Sequence, residues 1–196
     1  MTEDRDVQAL IDRPGLPEDL QVLHQKYPRA EWGTIHTLGS MGRFWISRHD
    51  MFRELGGSLA KSVDDLREER IEPMAFARWF APRFNHFLGD LDGHHQIEDY
   101  QYFPMFAAAD ERLKPGFDLL EEDHGLIHTL LERNADKARM FFDALMAGSD
   151  RLSFARDAYV AEADTLLKGL LRHLEDEEDL LIPLLLDQGE DQFGGY

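Results

Sequence analysis

Histidine and glutamate recur along this chain at intervals that repeat. His94 is followed four residues on by Glu98 and six beyond that by Pro104, and His173, Glu177 and Pro183 keep the same two intervals. A histidine stands 45 residues upstream of each pair, His49 before His94 and His128 before His173, so four positions recur at an offset of 79. His124, one helical turn before His128, completes a set of five histidines and two glutamates. Neutral imidazole and carboxylate together suit iron, manganese or zinc. Five nitrogens and two carboxylates able to bridge suit two ions better than one. A duplicated helical hairpin with ligands at matched heights would produce the repeat.

The elements that must position these residues are helices. Strand signals are weak throughout, whereas apolar residues recur with a period near 3.6 over long stretches. The periodicity predicts helices over Thr37–Arg70 (loosened at Gly56–Gly57), over Pro73–Ala109 with a kink near Pro82, over Pro115–Ala147 ending at Gly148, and over Leu152–Asp187. Short connections force such helices to run antiparallel, neighbour against neighbour, which is an all-α, up-down-up-down four-helix bundle over residues 36–190. Residues 1–35 read as an N-terminal helical extension punctuated by Pro14, Pro17 and Pro28, with one short helix over Leu16–Tyr27 and a role as a cap on the bundle end. Residues 191–196 read as a frayed tail.

A helix turns about 100° per residue, so each candidate can be placed against its own apolar stripe. On the fourth helix, Leu166, Leu170, Leu174, Leu181 and Leu184 cluster about 60° from His173, with Glu177 near 40° and Glu178 near 140°, at the margin. On the second, Glu98 sits among Phe84, Phe87, Leu91, Tyr102 and Met105. On the third, His124 and His128 lie at the centre of the face made by Phe117, Leu120, Leu131, Ala135 and Phe142. On the first, His49 borders Met41, Trp45, Phe52, Leu59 and Val63. An ionised carboxylate inside a leucine stripe is costly unless it is paired or binds a metal. Glu177 and Glu98 are therefore metal candidates, and Glu178 is expected to be dispensable.

Composition narrows the function from the other side. A net charge of −18 with 21 Lys+Arg among 196 residues argues against nucleic acid and anionic membrane as partners. With no cysteine there are no disulfides, thiolate metal sites or cysteine nucleophiles. The N-terminus lacks the pattern of a secretory signal, and no apolar run approaches the roughly 18 residues that span a bilayer, so a cytoplasmic location is expected.

Over about residues 40–188 these motifs resemble the hemerythrin-like, HHE cation-binding family. That resemblance implies a non-haem centre of two iron ions (Fe2+/Fe3+) joined by an oxo or hydroxo bridge. His124, His128 and His173 would hold one iron, His49 and His94 the other, and Glu98 and Glu177 would bridge them. The second iron would keep an open position for dioxygen or another small diatomic or peroxide ligand. Binding of dioxygen for storage, delivery or sensing is then the expected function. The alternatives are an enzyme acting on peroxide or nitric oxide, or an iron store or sensor. Animal hemerythrins place an aspartate five residues after the last ligand histidine, whereas here the inward glutamate comes at four, so oxygen transport is not simply inherited. His95 is expected beside the site or exposed, Glu121 as an acceptor for a ligand imidazole, and Tyr102 as a packed core residue. Gly56 is a channel opening or a plain helix irregularity. His24, His36 and His86 are expected to be structural or at the surface.

Overall fold

The computed structural model describes residues 2–34 and 38–194, and among them there is no strand. The helices are α1 (Thr2–Asp12), α2 (Ser40–Arg67), α3 (Pro73–Ile97), α4 (Phe103–Ala109), α5 (Lys114–Met146) and α6 (Leu152–Gln188). A single wide π turn, Glu98–Tyr102, joins α3 to α4, so the second long helix of the bundle is α3 and α4 in continuation. Each bundle helix packs on two neighbours: α2 on α3 and α6, and α5 on α3 and α6. The result is the up-and-down bundle expected from short loops. None of the described helices is long and apolar enough to cross a membrane.

The helix starts follow from the sequence. Pro73 opens α3 and Pro115 opens α5 in the first turn, where a missing N–H costs nothing. The first turn of α2 is capped from the other end of the chain: the backbone N–H groups of Met41 and Gly42 donate to the Glu190 carboxylate at 2.8 and 2.9 Å. A carboxylate there satisfies orphan donors and complements the helix dipole. Glu190–Phe193 forms a 3-10 turn and Phe193 is buried against Phe106, so this part of the expected frayed tail is docked. Helix α2 runs unbroken through Gly56, whose bare Cα lets Leu167 of α6 come close; a Cβ there would meet Leu167 at 2.6 Å.

The interior falls into two apolar blocks. One holds Phe52, Phe76, Phe80, Phe84, Phe87, Ile127, Phe141, Leu170 and Leu174. The other holds Trp45, Phe103, Phe106, Phe117, Leu120, Leu181 and Leu184. Between them, at one level of the bundle, lies a layer of buried histidine and glutamate.

The N-terminal extension differs from expectation. The helix lies at Thr2–Asp12, and Leu16–Tyr27 carries only a three-residue 3-10 helix, Glu18–Leu20, followed by turns. Helix α1 is short and has few apolar positions; Val7 and Leu10 find their partners on α5 and α6. Leu16, Leu23 and Trp32 pack against the second block, so the extension runs along the side of the bundle across the polar layer.

Phe80 is fully buried, stacked on Phe76 at 4.9 Å and on Phe84 at 5.2 Å. Phe80→Ala is expected to cost about 3–5 kcal/mol in urea unfolding of the metal-free protein. Metal stoichiometry should be unchanged, because Phe80 lies roughly 21 Å along α3 from His94.

Candidate metal centre

Six of the seven residues singled out from spacing converge in the polar layer. His49 comes from α2, His94 from α3, Glu98 from the first position of the π turn, His124 from α5, and His173 and Glu177 from α6. His49, Glu98, His173 and Glu177 are fully buried. The donor atoms form two adjacent groups, His95–His124–His173 and His49–His94–Glu98–Glu177, each spanning no more than 4.8 Å.

Both glutamates touch both groups. Glu98 Oε1 lies 3.0 Å from His94 Nε2, and its Oε2 lies 3.6 Å from His124 Nε2. Glu177 Oε2 lies 3.4 Å from His49 Nε2 and 3.5 Å from His173 Nε2. The other oxygen of Glu177 accepts from the indole N–H of Trp45. The π turn starts at Glu98; such turns commonly occur at functional sites, and this one re-aims the chain just after the carboxylate has entered the core.

His128 is not brought into the layer. Its side chain is 57% exposed, with Nδ1 3.1 Å from Asp92 and Nε2 3.5 Å from Glu132. Its place is taken by His95, buried and stacked on His124 at 4.0 Å between ring centres. Helix α3 sits between α2 and α5, so consecutive residues, about 100° apart, address different neighbours. His94 turns towards His49 of α2 and His95 towards His124 of α5. Once His124 faces the centre, His128 is rotated about 40° from it and meets the rim of α3 at Asp92.

Acidic residues brace the outer nitrogens. His124 Nδ1 lies 2.6 Å from Asp99 and His49 Nδ1 lies 3.0 Å from Glu178, while His173 Nδ1 has Asp123 at 3.6 Å, just beyond hydrogen-bond distance. Carboxylates in this position fix the tautomer and leave Nε2 as the donor lone pair. Glu178 is therefore buried and occupied, contrary to its marginal place in the helical projection. Glu121 is exposed on another face, in a cleft with Phe103 and Phe117, and braces no ligand. Spacing did not single out Asp99, Asp123 or Glu178, although each follows or precedes a candidate by one residue. Tyr102 is half-buried and packs edge-on to Trp45 at 4.8 Å. His24 lies 3.5 Å from Asp179, His86 is exposed, and His36 lies outside the described residues.

Electrostatics show what the layer lacks. Burial pushes His94 and His173 down to about 3, with Arg48 adding to the effect at His94, and pushes His95 well below the usual range. Burial also raises Glu98 and Glu177 well above ordinary carboxyl values, and their facing each other adds to this at Glu177. His94, His95 and His173 are thus neutral donors at physiological pH. Nε2 of His49, His94 and His95, both oxygens of Glu98 and Oε2 of Glu177 have no hydrogen-bond partner. A cluster of buried lone pairs of this kind costs free energy unless a cation fills it. Nitrogen and carboxylate donors at these separations fit a pair of such cations, as the chemistry of the donor set requires.

A buried layer of imidazole and carboxylate inside a helical bundle defines a cation-binding bundle domain. The chain belongs to the hemerythrin HHE cation-binding domain family, whose model matches residues 41–185. No curated protein and no solved structure matches the chain. The matched segment runs from α2 almost to the end of α6 and leaves the N-terminal extension outside.

Two outcomes check this geometry. His95→Ala is expected to remove one of two bound metal equivalents, whereas His128→Ala should keep both, as read by metal analysis after dialysis. The second concerns Glu178. Burial alone would raise its pKa, but the His49 hydrogen bond and the guanidinium groups of Arg53 and Arg29 outweigh burial and hold it at about 2. A depressed carboxyl contributes stability that is present above its unfolded value, near 4.5, and is lost as pH falls through the folded one. The stability gap between wild type and Glu178→Gln, metal-free, should therefore be constant above pH 5 and shrink towards pH 2.

Proposed function

We propose that this domain is a non-haem di-iron protein of hemerythrin type that binds dioxygen, for storage, delivery or sensing. His95, His124 and His173 would hold one iron and His49 and His94 the other, with Glu98 and Glu177 shared between them. Held there, two neighbouring iron ions would supply two electrons to one bound ligand.

The observation that carries this reading is an asymmetry. The three-imidazole side is closed by α5 and α6. The two-imidazole side faces a pocket of about 460 Å3 between α2 and α3, lined by Trp45, Arg48, Gly89, Gly93, His94 and Glu98. A side with one imidazole fewer, next to a space wide enough for a small molecule, is where an exchangeable ligand belongs. Phe44, Trp45 and Ile97 make much of the pocket wall apolar, which disfavours water beside the donors. Trp45 holds Glu177 in place through its indole N–H. Arg48, paired with Asp90 at 2.8 Å, sits on the pocket wall.

A second reading, an enzyme turning over peroxide or nitric oxide, draws on Trp45 and Tyr102, whose rings pack together on the pocket wall beside Glu98. Aromatic side chains so close to a redox centre can pass electrons to it. An iron store or sensor would use the donors without the pocket.

The deciding experiment is an optical titration of anaerobically reduced, iron-loaded protein as air is admitted and then removed. Two irons per chain with a charge-transfer band that appears and disappears support dioxygen binding. Irreversible oxidation turns the assignment to peroxide or nitric oxide chemistry. Gly93 supplies a sharper check, because a Cβ built there meets nothing within 4 Å. Gly93→Leu should fold, with up to about 1 kcal/mol of added helix propensity. It should leave iron content intact and slow ligand binding several-fold by filling the pocket.

A further inference from the structure

Two arginines of the N-terminal extension, outside the family-matched segment, each reach one half of the donor layer through a single carboxylate. Arg13 follows α1 and is largely buried, its side chain 12% exposed. Its Nε donates to Asp176 at 2.7 Å and its two Nη groups donate to the two oxygens of Asp123. Asp123 stands against Nδ1 of His173. Arg29 donates through Nη1 to Glu178 at 2.5 Å, and Glu178 accepts from Nδ1 of His49. Thus Arg13 leads to the three-imidazole side and Arg29 to the two-imidazole side.

We propose that Arg13 and Arg29 are positioning residues of the metal centre, so that docking of residues 2–34 and metal binding are thermodynamically linked. The inference rests on the metal-binding reading above, though not on dioxygen being the ligand.

The physical argument is one of orientation. A carboxylate that braces an imidazole can rotate unless its other oxygen is held, and a guanidinium fork holds it in a fixed plane. Asp123 has both oxygens engaged by Arg13. Glu178 is held by Arg29 on one oxygen and by Arg53 and His49 on the other. Partners behind a ligand typically change metal affinity by about 10–100-fold. The extension is well placed to apply this, because it crosses the polar layer at Arg13, between Leu10 in one apolar block and Leu16 in the other. By linkage, whatever docking gives to metal affinity, metal returns to docking. Arg29 also has contacts that serve docking alone: the Glu175 carbonyl at 2.8 Å, Asp179 at 2.9 Å and the ring of Trp32. These allow the two roles to be separated.

The test titrates the full-length, metal-free protein with Co2+ and Zn2+ against a competing chelator, with the cobalt visible spectrum as a second readout. Arg13→Gln should weaken one equivalent about tenfold or more and Arg29→Gln the other. In a His95→Ala background, which keeps only the His49–His94 side, Arg29→Gln should still act and Arg13→Gln should not. Arg13→Lys and Arg29→Lys should restore little, since an ammonium lacks the fork. Asp179→Asn, which loosens docking without touching Glu178, should weaken metal binding much less than Arg29→Gln and leave the cobalt spectrum unchanged. In the unaltered chain, Zn2+ should slow hydrogen exchange over α1 and residues 16–34, and this slowing should vanish in the Arg13→Gln/Arg29→Gln protein. Unchanged affinities in the arginine variants, an Asp179→Asn effect equal to that of Arg29→Gln, or exchange indifferent to Zn2+ would each overturn the proposal. That last measurement needs no variant, so a misfolded mutant does not rescue the idea. Two tightly bound metals without these effects defeat this proposal alone, whereas a wild type that binds neither metal defeats the metal-binding reading as well.

Discussion

Two carboxyl groups face one another in the middle of an apolar bundle, and the arrangement around them follows from that juxtaposition. Neither Glu98 nor Glu177 reaches water. Burying two such groups costs several kcal/mol unless their charge is met. Five imidazoles surround them, and burial lowers the pKa values of His94, His95 and His173 while it raises those of both carboxyls, so the layer is arranged to offer electron pairs to a cation. Cations would complete the set. Metal loading should accordingly count towards the folding free energy of the bundle, since the donors come from four separate segments.

Much of this was legible in the sequence, for a physical reason. Helical projection is sound where a helix is long and its apolar stripe clear, and it correctly turned Glu98, His124, His173 and Glu177 inwards. The four bundle segments also start and stop close to where proline and glycine placed them. The projection failed where a rotation of a few tens of degrees decides the outcome. Glu178 lay at the margin of its stripe and is buried, whereas His128, placed with His124 at the centre of its face, is exposed; the neighbouring helices settled each case against the projection. The fixed offset misled as well. His124, not His128, answers to His49, because the second hairpin holds one more turn, four residues, between its first and second ligand histidines than the first does.

The extension was harder to read. Helix α1 has only two well-buried apolar residues, and the surface they pack on is formed by α5 and α6 far along the chain. Arg13 and Arg29 carry no mark in the sequence. Their targets, Asp123, Asp176 and Glu178, lie more than a hundred residues away, inside acidic stretches of the sequence.

The braces also have a topology. Asp99, directly after Glu98, holds His124, while Glu178, directly after Glu177, holds His49. Each helical hairpin thus steadies a ligand belonging to the other, while within the second hairpin Asp123 stands 3.6 Å from His173. Across the donor layer the two hairpins exchange one acid for another. Neither half is self-sufficient, so a change in one hairpin's acid is felt at the other hairpin's histidine, and the two halves are bound to drift together in sequence or lose the centre together.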